Sequence, residues 1–404
     1  MWPTALLVLL VAFQSNYYEQ GMKALDQKQY QSAVDDFLKA LEAEPQDYTV
    51  RFNLALAYSL LSKDTEAVSE YQKVLELKPD LYQANLNLGI TFVRLKQAAR
   101  AVPYLTNAVG EKPKEYRPNY NLASALLASG DWAKAEQTFM TAIELDPKSP
   151  DAEIGLAHAL VMQKKLPDAA PHFKKAAELN ANYRDGLLEL AGLYEAQNQP
   201  AEAIAIYQQF PDNPGAQERL GELQLASGQA ADSIAHFQAA IEKSPTAANR
   251  AALATAYIKN KEPDKALPLA EQILATDPND FEVRMLHGRI LRDQRKFPAA
   301  ADDFFRATKI KPDSADAWSE FAGVLVMAED YPAALTALDR LAAMHAEKPG
   351  HVYLRAIVLD KARQLKPALE TYQKFLAVSN GQNPDEEFKA RQRVRILQRE
   401  ISRQ

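Results

Sequence analysis

Residues 33–80, AVDDFLKALEAEPQDYTVRFNLALAYSLLSKDTEAVSEYQKVLELKPD, hold the pattern that decides the fold. Ala33 returns as Ala67, Phe37 as Tyr71 and Pro45 as Pro79, each 34 residues on, and the alanine column continues through Ala101, Ala135, Ala169 and Ala203. The large apolar column continues through Leu105, Phe139, Phe173 and Tyr207. Pro113 and Pro147 extend the proline column, each proline following a helix that it cannot continue. Earlier in each unit Leu54, Leu88, Leu122, Leu156 and Leu190 mark a first helix. Each is followed by a small residue, Ala55, Gly89, Ala123, Ala157 or Ala191, which lets two helix backbones approach closely. An array of this kind buries its apolar faces between neighbours instead of in one central core.

This spacing resembles the tetratricopeptide repeat (TPR), a helix-turn-helix unit of the same period. Eleven copies open at Gln14, Tyr48, Tyr82, Tyr116, Pro150, Arg184, Pro214, Ala247, Phe281, Ala315 and Pro349. The resemblance implies an all-α fold, a right-handed α-solenoid whose first helices line a concave face. The expected organisation is a hydrophobic N-terminal segment at 1–13, repeats one to six at 14–213, repeats seven to eleven at 214–382, and a C-terminal capping helix at 383–404. Two prolines around an Asp-Asn turn, Pro211-Asp212-Asn213-Pro214, mark the joint between the halves. In the last helix Asn383, Pro384 and Glu386 spell a capping box. Its Val394, Leu397 and Ile401 form a stripe for the final repeat, while Arg391, Arg395, Arg399 and Arg403 face water.

Composition narrows the function. The 404 residues carry a net charge of −6, leaving no basic surplus to neutralise phosphates, so nucleic acid is not an expected partner. The absence of cysteine excludes thiolate chemistry and Cys-ligated zinc. Six histidines are scattered, and no metalloprotease, nucleophile-elbow, P-loop or dinucleotide motif occurs. The expectation is a non-enzyme with no catalytic residue, cofactor or metal, because the repeats leave no room for a catalytic domain. His287 falls in the leucine column and reads as a hydrogen-bonded core residue. The run LLVLLVAF at 6–13 is too short to span a bilayer and has the length of a secretory h-region. An exported protein, periplasmic or secreted, is therefore expected. The alternative is a hydrophobic first helix packed on repeat one of a cytoplasmic protein.

The candidate site lies on the first helices of repeats one to five. Asn53, Asn87 and Asn121 precede the leucine column and resemble the asparagine ladder inside the TPR superhelix of O-GlcNAc transferases, which holds an extended peptide by its backbone. A carboxamide offers both donors and an acceptor to a peptide unit, but such an asparagine can equally bond its own helix. Around them Tyr18, Phe52, Leu56, Leu86, Ile90, Tyr120 and Ile154 form an apolar surface, with His158 beside it and Arg94 and Arg117 placed to meet a carboxylate at the rim. The competing reading packs these side chains between adjacent first helices. Repeats six to nine carry charges instead: Asp185, Glu195, Glu218, Glu222, Arg289 and Arg292. These read as a solvated face. The expected function is a non-enzymatic scaffold that binds a protein or peptide segment, with envelope or secreted complex assembly in a bacterium implied by family analogy. The alternatives are a self-assembling homo-oligomer and a substrate-presenting accessory subunit.

Overall fold

A computed structural model describes residues 16–402. The apolar run at 6–13 and Arg403 lie outside the described residues. The chain divides into two compact units, Met1–Ile206 and Tyr207–Gln404. In the first, α1 runs through residues 16–26. It is followed by α2 (Tyr30–Ala43), α3 (Tyr48–Leu60), α4 (Asp64–Leu77), α5 (Tyr82–Arg94), α6 (Ala98–Glu111), α7 (Tyr116–Ser129), α8 (Trp132–Leu145), α9 (Pro150–Met162) and α10 (Leu166–Leu179). A short 3-10 turn, Ala181–Tyr183, leads into α11 (Asp185–Ala196) and α12 (Pro200–Tyr207). The second unit contains α13 (Pro214–Ala226), α14 (Ala230–Lys243), α15 (Ala247–Lys259), α16 (Pro263–Thr276), α17 (Phe281–Asp293), α18 (Phe297–Ile310), α19 (Ala315–Met327), α20 (Tyr331–Ala343), α21 (Pro349–Lys361), α22 (Leu365–Ser379) and α23 (Pro384–Ile401). Among the described residues there is no strand, and no helix is long and apolar enough to cross a membrane. The fold is an all-α solenoid of helix pairs.

The sequence columns explain why the pairs form. Ala33, Ala67, Ala101, Ala135 and Ala169 are fully buried, and Phe37, Tyr71, Leu105, Phe139 and Phe173 sit beneath their first helices at 1% exposure or less. In the second unit Phe237, Phe304 and Leu338 hold the same place. Where the facing residue is glycine the fit is tight. A Cβ on Gly89 would lie 2.4 Å from Leu105 Cγ. First helices start where a side chain can take the free N–H groups. Asp47 accepts from Thr49 and Val50, Ser149 from Ala152, and Asp280 from Val283.

The turn inside each repeat closes by a Schellman motif. Lys63 N donates to Tyr58 O and Ser62 N to Ser59 O, and Gln97 with Lys96, and Lys165 with Lys164, repeat the pair. This requires a left-handed residue, which is glycine only at Gly130 and Gly228. Elsewhere Lys28, Ser62, Lys96, Lys164, Asn198, Lys261, Arg295, Glu329 and Arg363 hold it, with φ between 57° and 62°. A Cβ is strained there. Replacing Lys96 and Lys164 by Gly should therefore raise stability by about 0.5–1 kcal/mol per site, the relief of strain exceeding the greater freedom of glycine in the unfolded chain. A melting temperature that is unchanged or lower would contradict this.

The C-terminal helix departs from expectation at its start. Asn383 makes no side-chain cap and instead donates from Nδ2 to Ser379 Oγ, so the capping box with Glu386 does not form. The reason is the turn before it, where Asn380 and Gly381 adopt left-handed φ and fold the chain back. Gly381 N then donates to the buried carboxylate of Glu387 at 2.7 Å. Its packing stripe is as expected: Leu397 is fully buried, and Val394 packs against the cluster formed with Tyr372 and Phe375.

Candidate functional site

The candidate face belongs to the first unit and is carried by α1, α3, α5, α7 and α9. Consecutive members from α3 onward touch one another, which puts the same register position of each repeat side by side. The side chains before and after the buried Leu-small pair flank that contact.

The structure places most of the expected apolar residues there half-buried. Phe52 lies against the Tyr71 ring at 5.8 Å, and Tyr18 against Phe37 at 6.1 Å. Tyr120 stacks on Tyr116 at 5.5 Å and meets the edge of Phe139 at 6.2 Å. Burial lifts the Tyr120 phenol above its usual pKa, so it stays a neutral hydrogen-bonding group. Leu56, Ile90 and Ile154 also keep part of their surface open. Ile154 Cδ1 lies 3.0 Å from where a Cβ on Gly186 would stand. Leu86 is the exception. At 3% exposure it belongs to the packed interior and has no surface to offer a partner. Phe52 and Tyr120 hold its register position in the adjoining repeats, and a leucine ranked between two larger rings sits below both.

The asparagine column divides. Asn53 is 8% exposed and donates to Thr49 O at 3.0 Å, with Tyr18 OH at 3.5 Å, so it bonds its own helix and is withdrawn from the face. Asn87 donates to Tyr71 OH at 3.3 Å and Asn121 to Arg117 O at 2.8 Å, yet both stay half-exposed. Neither Oδ1 has a partner among the described residues. Each Nδ2 spends one of its two N–H groups inside the protein, so these two asparagines keep an open acceptor and one further donor.

The charged residues at the rim behave differently from one another. Arg94 is already engaged, its Nε donating to Asp64 Oδ2 at 2.7 Å and a second nitrogen to Oδ1. The geometry expected for a partner's carboxylate is taken by one from α4. Arg117 is exposed, with no carboxylate paired to it among the described residues. His158 bridges to Glu189 on α11 at 3.1 Å, with its ring against Phe173. At the start of α9, the helix that carries His158, Asp151 accepts from Tyr183, and this bond raises the phenol pKa to about 12. In the second unit Arg289 contacts Glu320 at 2.7 Å and Asp316 at 2.6 Å, and Arg292 also pairs with Glu320. Arg219 pairs with Glu222. Much of this charged face neutralises itself.

A polar column that periodicity alone does not reveal sits two positions before Asn87 and Asn121. Asn85 donates to Pro79 O at 2.8 Å, Asn119 to Pro113 O at 3.0 Å, Arg284 to Pro278 O at 3.1 Å and Trp318 to Pro312 O at 2.9 Å. Each donor lies six residues after the repeat-closing proline and ties one repeat to the next. Its signal in the sequence is a polar residue at that fixed offset. Among the described residues no group of three His, Asp or Glu is arranged to hold a metal ion.

Tetratricopeptide repeat models match residues 18–82, 92–157, 160–212 and 224–290, together more than half of the chain. The chain belongs to the tetratricopeptide repeat family. As such it is a protein-interaction scaffold of repeated helix pairs. It is 30% identical over 141 residues to mouse DnaJ homolog subfamily C member 3, covering 30% of this chain and 27% of that protein. The chain thus spans about a quarter of that curated relative. Among solved structures it resembles MamA from residue 41 to the end, from Desulfovibrio magneticus RS-1, at 24% identity and TM-score 0.41 over 42% of this chain and 96% of that one. It also resembles YrrB, described as a TPR protein with an unusual peptide-binding site, at 21% identity and TM-score 0.41 over 42% of this chain and 88% of that one.

Proposed function

We propose that this protein is a non-enzymatic scaffold that holds a polypeptide segment on the first-helix face of repeats one to five. One observation supports the reading above the others: Phe52, Leu56, Ile90, Tyr120 and Ile154 keep open surface along one row of touching helices, beside the unpaired acceptors of Asn87 and Asn121. Partly open aromatic side chains are effective anchors, because they offer large area with few torsions to immobilise. The two carboxamide oxygens accept backbone N–H groups whatever the partner's side chains. Arg117 adds a free cation for an acidic residue.

The test is affinity capture from the source cell with wild-type protein and an Asn87→Ala/Asn121→Ala variant. Each lost hydrogen bond should weaken the partner by roughly tenfold, since its N–H is left unpaired on binding. Coincident melting curves of the two proteins are the expected sign that the variant stays folded. Equal recovery by both proteins would remove the two acceptors from the site, and recovery of only this chain would replace the reading with self-assembly. The apolar run at 6–13 supports export and, with it, a role in envelope or secreted assemblies. Capture from separated cytoplasmic and exported fractions examines this, and chain found only in the cytoplasm overturns it.

A further inference from the structure

The outer face of α23 is left over once its packing is accounted for. Ala390, Val394, Leu397 and Ile401 turn one stripe inward onto the last repeat. On the opposite side Phe388, Gln392, Arg395, Ile396 and Arg399 recur at offsets of four, seven, eight and eleven residues, the spacing of a single helix face. Phe388 is 62% exposed and Ile396 43%. Residues 388–399 contain five basic side chains and no acidic one. Two of the five are engaged, Arg391 with Glu387 at 2.7 Å and Arg393 with Asp360 at 2.8 Å. Lys389, Arg395 and Arg399 are exposed and have no ion-pair partner among the described residues.

We infer that this face docks on an anionic bilayer surface. Charge complementarity supplies the first argument, because the basic stripe stands out in a chain whose net charge is −6. Shape supplies the second. A single helix face has no walls to enclose an extended peptide, whereas a helix about 27 Å long lies flat on a planar surface. The third is the mixture of side chains: an aromatic ring and an isoleucine among arginines enter the acyl boundary while the guanidinium groups stay at the headgroups. An acidic polypeptide would use the arginines and leave Phe388 in water.

The experiment is co-sedimentation of the full chain with phosphatidylcholine vesicles and with equimolar phosphatidylcholine–phosphatidylglycerol vesicles, at low and at high salt. Binding is expected only to the anionic vesicles, and salt should abolish it. Arg395→Gln/Arg399→Gln should reduce it by about fivefold per arginine removed. Phe388→Ala should reduce it by about tenfold with the salt dependence retained. None of these side chains is buried, so unchanged circular dichroism is expected. Equal binding to neutral vesicles would assign adhesion to apolar residues elsewhere and overturn the inference. So would full binding by the arginine variant, or capture by polyglutamate without vesicle binding.

Discussion

Asp303→Ala should cost the second unit about 3–5 kcal/mol, because it leaves a buried charge without its partner. Arg284 on α17 and Asp303 on α18 are each 7% exposed and pair at 2.8 Å. The other carboxylate oxygen takes His287 Nδ1 at 2.5 Å, so the aspartate joins both. Without it the guanidinium keeps only the carbonyl of Pro278, and His287, whose Nε2 already lacks a partner, loses its remaining hydrogen bond. The Arg284–Asp303 pair is withdrawn from solvent, whereas His287 keeps 15% of its side chain exposed. In a repeat array such a loss is felt by the repeat and its neighbours. Denaturant unfolding should shift accordingly, and hydrogen exchange should rise first in α17 and α18. Arg284→Met/Asp303→Leu removes both charges and should recover most of the loss, as replaced buried pairs commonly do. A single variant within 1 kcal/mol of wild type would show that water reaches the pair.

His287 shows what the sequence makes legible and what it withholds. Its place in a leucine column reads as a hydrogen-bonded core residue, and the structure supplies that bond at Nδ1 while leaving Nε2 without a partner. The acceptor lies on another helix, and one column of leucines says nothing about it. Yet the rule is regular: Arg51 with Glu70, Glu153 with His172, Gln217 with His236 and Arg284 with Asp303 are all 19 residues apart. Covariation within the repeats would have revealed it. The buried alanine and aromatic columns are legible because burial admits few residue types and the period repeats them. Half-buried positions lack that constraint. Phe52, Leu86 and Tyr120 share one register position, but only their relative sizes and neighbours decide that Leu86 is covered. The three asparagines look equivalent for the same reason, until Asn53 turns onto Thr49 O.

Phe139→Ala is the second large effect expected, about 3–5 kcal/mol for an aromatic side chain deleted from a closed interior. Phe139 on α8 is 1% exposed. Tyr120 on α7 rests on it, and Gly155 on α9 stands so close that a Cβ there would lie 2.4 Å from its ring carbons. One ring therefore spaces repeat four from repeat five and holds up an aromatic residue of the candidate face. Losing it should destabilise α7 to α9 and weaken any ligand that rests on Tyr120. Phe139→Leu should cost much less, because Leu105 fills the same register position one repeat earlier and is itself fully buried. Gly155 makes the account testable without a ligand. Gly155→Ala in the wild type must displace the ring and should lower stability. In the Phe139→Ala background the obstacle is gone, and alanine's better helix propensity, about 1 kcal/mol over glycine, should appear as a gain. Additive effects of the two substitutions would mean that the ring and the glycine do not depend on each other. A change of sign locates the spacing between repeats four and five at that contact.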